Sequence, residues 1–298
     1  MPELPEVTTF INNLNEHVLN KKIIDVVIIR NKVIKNATDE EFKKFFIGEE
    51  FTIIKRDGKY LIFFLTHDKQ MVMHLRMEGK IIYDHHDDPL LNKSDWINWI
   101  FPNHEEMRYY DTRLFGAINI YTNNGYVNDP GLKKLGPEPF SSEFTWQYLK
   151  EKFSHHPKIY LKQLLMDQSI IAGIGNIYAS EICFACKLSP YLLPNQLTDE
   201  DYKNIVKYTK EILSDAIKYK GTTVSSYAYD SKNHAGNYQS KLKVYGRQGK
   251  PCYVCGTPIE KTEIDGRGTY FCPHCQHVII PPDAKNPKKQ STKDKNND

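Results

Sequence analysis

The stretch "CYVCGTPIEKTEIDGRGTYFCPHC", residues 252–275, sets two C-x2-C pairs sixteen residues apart. Each pair, Cys252 with Cys255 and Cys272 with Cys275, fits a tight turn that presents two thiolates to one ion. Two such turns complete a tetrahedral site for a single Zn2+. Four protein thiolates fill the coordination shell and leave no position for substrate, so the predicted metal is structural. The segment between the pairs is long enough for a β-hairpin turning at "IDGRG" (264–268), with Arg267 near its tip. A third pair, Cys183 and Cys186 in "EICFACKL", lies in a helical pattern with no second pair to complete a site. Those two thiols read as small apolar core residues. The run "HHDD" at 85–88 reads as a solvated loop between strands.

Outward from the finger, charge is unevenly spread. Residues 232–281 carry seven lysines and arginines against three acids, and residues 282–298 carry five lysines against three aspartates. The whole chain is only +3, so the rest is net negative. A basic C-terminal end suits contact with an anionic polymer, and a solvated basic surface gives the same pattern. A chain of 298 residues has room for two domains, and 40% hydrophobic with 26% charged residues is a globular composition. No apolar run approaches the roughly 18 residues of a membrane span, and acids stand where a signal peptide is basic. A cytoplasmic location and no membrane partner are expected. There, six cysteines point to metal before disulfides.

The period of the apolar residues divides the chain. Val7, Phe10, Ile11, Leu14 and Val18 fall at helical spacing after Pro5. "KIIDVVIIR" (22–30) reads as a strand and "TDEEFKKFF" (38–46) as a short helix capped by Thr38. Strand-like runs then crowd residues 51–121, which implies antiparallel sheets packed face to face. "LGPEPF" (135–140) is a turn-rich linker, and residues 141–220 are helical, ending in a long helix capped by Thr198 and stopped by Gly221. Polar residues 222–241 read as a mobile loop and the lysine-rich tail as disordered. The expected class is α+β and multidomain.

One feature is left over: the chain opens "MPELPEV", stiff and charged where order is usually lost. Together with "DGKYL" (57–61), "HLRMEG" (74–79), "DTRLFGA" (111–117), "LGPEPF", "GIGNIYASE" (173–181), "VYGR" (244–247) and the cysteine hairpin, it resembles the bacterial formamidopyrimidine-DNA glycosylases. The likeness runs from Met1 to Gln276. It implies a catalytic β-sandwich with a leading helix over 1–135 and a helix–two-turn–helix DNA-binding domain over 136–221. A flexible lesion-covering loop and strand (222–245), a zinc finger (246–281) and a disordered tail (282–298) follow.

The resemblance also implies an activity: removal of 8-oxoguanine and formamidopyrimidines from double-stranded DNA by base flipping, then cleavage of the abasic site, by a monomer. Pro2 would be the nucleophile once Met1 is removed. A terminal amine with a pKa near 8 is roughly a tenth neutral at pH 7, and a lysine near 10.4 hardly at all. Bonded to the sugar, a secondary amine becomes an iminium that promotes elimination. Glu3 matches the family's general acid. Glu6 matches a second acid, and equally fits an acid favouring a first helical turn. Lys59 and Arg267 match phosphate contacts that assist β- and δ-elimination.

His74, Asn176 and Tyr245 match DNA-backbone contacts; alone, Asn176 reads as an ordinary cap and the other two as structural residues. Met77, Arg113 and Phe115 match the residues that fill the void left by a flipped base, with Arg113 expected to bond the base left opposite it. The chain departs from the family in having Leu114 where a second arginine is common, and in lacking a histidine near Trp96. Related endonuclease VIII enzymes, which prefer oxidised pyrimidines, and a noncatalytic damaged-DNA-binding zinc protein are the alternatives.

Overall fold

The computed structural model describes residues 1–85, 95–222 and 236–281. Most of the "HHDD" run, most of the expected lesion-covering loop and the whole tail therefore lie outside the described residues. The chain forms two compact units, Met1–Leu135 with Ser214–Ser240, and Gly136–Leu213 with Lys241–Asp298.

The first unit begins with helix α1 (Leu4–His17), followed by strand β1 (Asp25–Ile28) and helix α2 (Asp39–Phe46). Thr38 starts α2 as its pattern requires: its hydroxyl accepts the Glu41 N–H, while the Glu41 carboxylate accepts the Thr38 N–H at 2.8 Å. Seven strands follow, β2 (Phe51–Asp57), β3 (Tyr60–Leu65), β4 (Lys69–His74), β5 (Lys80–His85), β6 (Asp95–Ile100), β7 (Glu105–Tyr110) and β8 (Ala117–Thr122). With β1 they form two antiparallel four-stranded sheets, ordered β2-β3-β4-β8 and β1-β6-β7-β5. One apolar core joins the sheets to both helices. Val7, Phe10 and Leu14 of α1, Phe42 and Phe46 of α2, Leu61 and Phe63 of β3, and Trp99 of β6 are all buried within it. Phe46 meets Trp99 edge-on at 5.6 Å, a favoured aromatic geometry.

The second unit carries helices α3 (Trp146–Ser154), α4 (Leu161–Met166), α5 (Asn176–Ala185) and most of α6 (Asp199–Lys218). The Thr198 hydroxyl accepts the Asp201 N–H at the start of α6. At its end the left-handed turn comes one residue early: Lys220 already stands at φ +60° and Gly221 continues at +72°. The Gly221 N–H closes the helix on the Ala216 carbonyl at 2.8 Å. Strands β9 (Glu260–Ile264) and β10 (Arg267–Phe271) form the finger hairpin. Asp265 and Gly266, both at positive φ, make the two-residue turn that Asp-Gly favours. Arg267 is exposed beside it, as the sequence reading expects. Cys183 is buried and burial pushes its thiol up to about 12, so it behaves as a small apolar group.

Candidate functional site

In the first unit the amino end is packed, not frayed. Residues 2–7 are all buried, Glu3 at 3% and Glu6 at 1% exposure. Pro5 sits in the first turn of α1, where a missing N–H costs nothing. The Glu3 N–H donates to Glu6 Oε2 at 2.9 Å, and Glu6 Oε1 accepts the Thr222 N–H at 2.7 Å and its hydroxyl at 3.1 Å. Gly221 is required there, because a Cβ would fall 2.6 Å from Glu6 Oε1. Burial lowers the pKa of the terminal amine, here that of Met1, below its ordinary 8.0. Glu3 and Glu6 pull it up and the positive charge of Lys59 pushes it down. Lys59, buried, follows Gly58 in the β2–β3 turn, where φ is +54°.

His74 closes β4 and is buried against Tyr60, whose ring meets it edge-on at 4.5 Å. Burial, then the charges of Arg76 and Lys59, depress its pKa to about 3. Its Nδ1 accepts the Arg76 N–H at 2.9 Å. That bond assigns the ring proton to Nε2, so His74 presents a neutral N–H donor. Farther along, Met77 and Phe115 are 39% and 52% exposed, large apolar side chains left in solvent. The Arg113 guanidinium lies 5.0 Å from the Phe115 ring and 3.9 Å from Glu78.

In the second unit Asn176 is the first residue of α5 rather than its cap, a position taken by Gly175. Its side-chain amide donates to the Gly268 carbonyl at 3.0 Å, beside Arg267. Lys162, fully buried on α4, donates to Asn176 Oδ1 at 2.6 Å, Thr269 Oγ1 at 2.7 Å and the Gly268 carbonyl at 3.1 Å. Buried Glu181 accepts the N–H groups of Lys243, Val244 and Tyr245 at 2.8–2.9 Å, which holds the Tyr245 backbone.

The four finger cysteines bring their sulfurs within 4.8 Å of one another, with Cys252 and Cys275 at 3.9 Å and Cys255 and Cys272 at 3.4 Å. A zinc tetrahedron with Zn–S bonds near 2.3 Å has its sulfurs about 3.8 Å apart. Backbone N–H groups of Val254 and Cys275 point at the Cys252 and Cys272 sulfurs, both at 3.4 Å, as thiolates require. The donor set fits one zinc ion.

Comparison with known proteins settles the lineage. Residues 1–118 match the formamidopyrimidine-DNA glycosylase N-terminal domain, 135–228 its H2TH domain, and 249–278 the zinc finger found in FPG and IleRS. The chain is 42% identical to the formamidopyrimidine-DNA glycosylase of Ureaplasma parvum, over 93% of this chain and all of that one. The chain belongs to the formamidopyrimidine-DNA glycosylase family. The Listeria innocua family member is 41% identical over the same share. Lactococcus lactis Fpg, solved in complex with abasic-site DNA, superposes with a TM-score of 0.86 at 34% identity, covering 93% of this chain and all of that one. A point variant of the Lactococcus protein, solved with DNA containing Fapy-dG, gives 0.85.

For a glycosylase of this family, the first unit brings the expected Pro2, Glu3, Glu6 and Lys59 together at the amino end, sets His74 within reach of the Lys59 charge, and carries Arg113 with Phe115 on one loop. The second holds Asn176, Arg267 and Tyr245 on a frame of buried polar groups. That frame, Lys162 and Glu181, was missed. The sole signal for it was a charged residue inside the apolar runs "LKQLL" and "YASEICF".

Proposed function

We propose that this base-excision-repair DNA glycosylase removes oxidised purines, 8-oxoguanine and formamidopyrimidines, and then cleaves the abasic site as a lyase. It acts as a monomer on double-stranded DNA in the cytoplasm. The observation that carries the reading is the ordered amino end, where Pro2, Glu3 and Glu6 are buried and Glu6 ties the Glu3 and Thr222 N–H groups together. Removal of Met1 makes the Pro2 nitrogen the terminal amine. A nucleophile needs that amine neutral, since a protonated amine has no lone pair to give.

The neutral Pro2 nitrogen attacks C1′ of the flipped nucleotide, and the base leaves with the electron pair of the glycosidic bond. The sugar ring opens, its oxygen taking the proton given up by the Pro2 nitrogen and carried by Glu3, and an iminium forms at C1′. That cation acidifies C2′. Loss of its proton ejects the 3′ phosphate, and a further elimination ejects the 5′ phosphate. Lys59 and Arg267 neutralise phosphate charge, and the neutral His74 N–H donates to a phosphate oxygen, as do Asn176 and Tyr245. Met77, Arg113 and Phe115 occupy the void in the duplex. Zinc on Cys252, Cys255, Cys272 and Cys275 would supply a structural tie for the finger.

Borohydride reduction on abasic DNA tests the chemistry. A covalent adduct is expected from the unmodified protein and not from Pro2→Gly. No adduct from the unmodified protein would leave a noncatalytic damage binder. Comparing duplexes with 8-oxoguanine opposite cytosine and with thymine glycol tests the substrate class. Faster excision of thymine glycol would assign the chain to the endonuclease VIII type.

A further inference from the structure

The loop that carries Arg113 and Phe115 crosses from β7 in one sheet to β8 in the other. One carboxylate collects its backbone. Asp111, 1% exposed, accepts the Arg113 N–H on Oδ1 at 2.9 Å. Its Oδ2 accepts the N–H groups of Phe115 and Gly116 at 3.0 and 2.9 Å and the Tyr109 hydroxyl at 3.2 Å. Tyr109 is fully buried, and burial together with the Asp111 charge raises its pKa, so it stays a donor. Gly116 crosses so closely over Tyr109 that a Cβ would collide with the phenol oxygen. Between the tethered residues, Leu114 is held at φ +64°, a region that disfavours any residue with a Cβ.

We propose that Asp111 is the positioning residue for Arg113 and Phe115, and through them for recognition of the base opposite the lesion. This rests on the proposed excision of oxidised purines from duplex DNA. An ionised carboxylate can accept on both oxygens, and here four donors converge on it, one on Oδ1 and three on Oδ2. An amide in its place accepts on one side only and turns N–H groups toward N–H groups on the other. Either Arg113 or the Phe115–Gly116 pair then loses its anchor. Leu114 relaxes out of the left-handed region, and the Arg113 guanidinium and Phe115 ring turn with it. Met77 stands on a different turn, joined to this loop through Glu78, which accepts the Thr112 hydroxyl and lies 3.9 Å from the Arg113 guanidinium.

The test uses the full-length, zinc-loaded protein with three readouts. These are excision of 8-oxoguanine opposite cytosine and opposite adenine, fluorescence of 2-aminopurine placed opposite an abasic-site analogue, and borohydride trapping on a single-stranded abasic oligonucleotide. For Asp111→Asn, trapping stays within twofold of the unmodified protein, because no opposite base is involved. Excision opposite cytosine falls at least tenfold, the cytosine-to-adenine ratio shrinks, and the 2-aminopurine signal drops. Adding Leu114→Gly recovers part of the loss, since glycine enters the left-handed region freely. Tyr109→Phe, which keeps the carboxylate but removes one donor, gives a two- to fourfold loss of the same kind. An unchanged base ratio and 2-aminopurine signal in a folded Asp111→Asn overturns the proposal. Should that variant not fold, an unchanged ratio in Tyr109→Phe overturns it. Absence of trapping by the unmodified protein would instead remove the underlying reading.

Discussion

Replacing Lys162 with methionine is expected to loosen the finger hairpin without touching the sandwich. The lysine is fully buried, and three acceptors surround Nζ at 2.6–3.1 Å, matching the three N–H bonds of an ammonium. In the variant the Gly268 carbonyl still accepts from the Asn176 amide, and Thr269 Oγ1 still donates to the Arg267 carbonyl. Asn176 Oδ1, on a half-buried residue, loses its 2.6 Å bond from the lysine. Hydrogen bonds from a charged donor contribute roughly 1.5–3 kcal/mol each, and the acceptors' remaining partners and the methionine's packing offset part of that loss. A net loss of about 3 kcal/mol corresponds to about a hundredfold in the opening equilibrium. Hydrogen exchange read by mass spectrometry on peptides spanning 260–271 measures it locally. Exchange there should accelerate about a hundredfold while peptides from β6 and β7 do not change. A change under threefold would refute the reasoning. Lys162→Arg should not rescue, because a flat five-donor fork does not fit three converging acceptors.

His74 gives a pH prediction. Its folded pKa of about 3 lies below the ordinary 6.5, so between those values the unfolded chain binds more protons than the folded one. The stability that a neutral ring confers is complete above pH 6.5 and is lost as the pH falls toward 3. His74→Gln should therefore flatten the fall of the denaturation midpoint over that range; an unchanged slope would mean that His74 is not the titrating group. Cys272→Ser should lower DNA affinity at least tenfold and abolish zinc binding, with near-ultraviolet circular dichroism of the Trp96 and Trp99 region preserved. Full affinity in a metal-free variant would detach the finger from DNA binding.

What was legible in the sequence was local. Thr38 and Thr198 announce helices through bonds to residues three positions on, and Asp265-Gly266 announces its hairpin because few pairs accept two positive φ values. The cysteine pairs name a metal because their spacing alone restricts the geometry. Asn176 was legible only in part. A helix start after glycine suggests a cap, but the cap is Gly175, and the asparagine turns instead to a carbonyl 92 positions away. Leu114 could be noted as a departure, but its left-handed backbone could not be read. Nothing in "DTRLFG" states that Asp111 will take three of the following loop's amides.

The sequence by itself determined the order of helices and strands, the apolar faces that had to be covered, and the one set of thiols that could hold an ion. These follow from periodicity and short-range chemistry, which act within a few residues. Only the tertiary structure decided which partners the buried charges meet. Glu6 finds Thr222 across 216 positions and Lys162 finds Thr269 across 107, and no pattern in the chain encodes either pairing. A buried charge settles wherever folding places enough donors or acceptors around it, and that is known only once distant segments have packed.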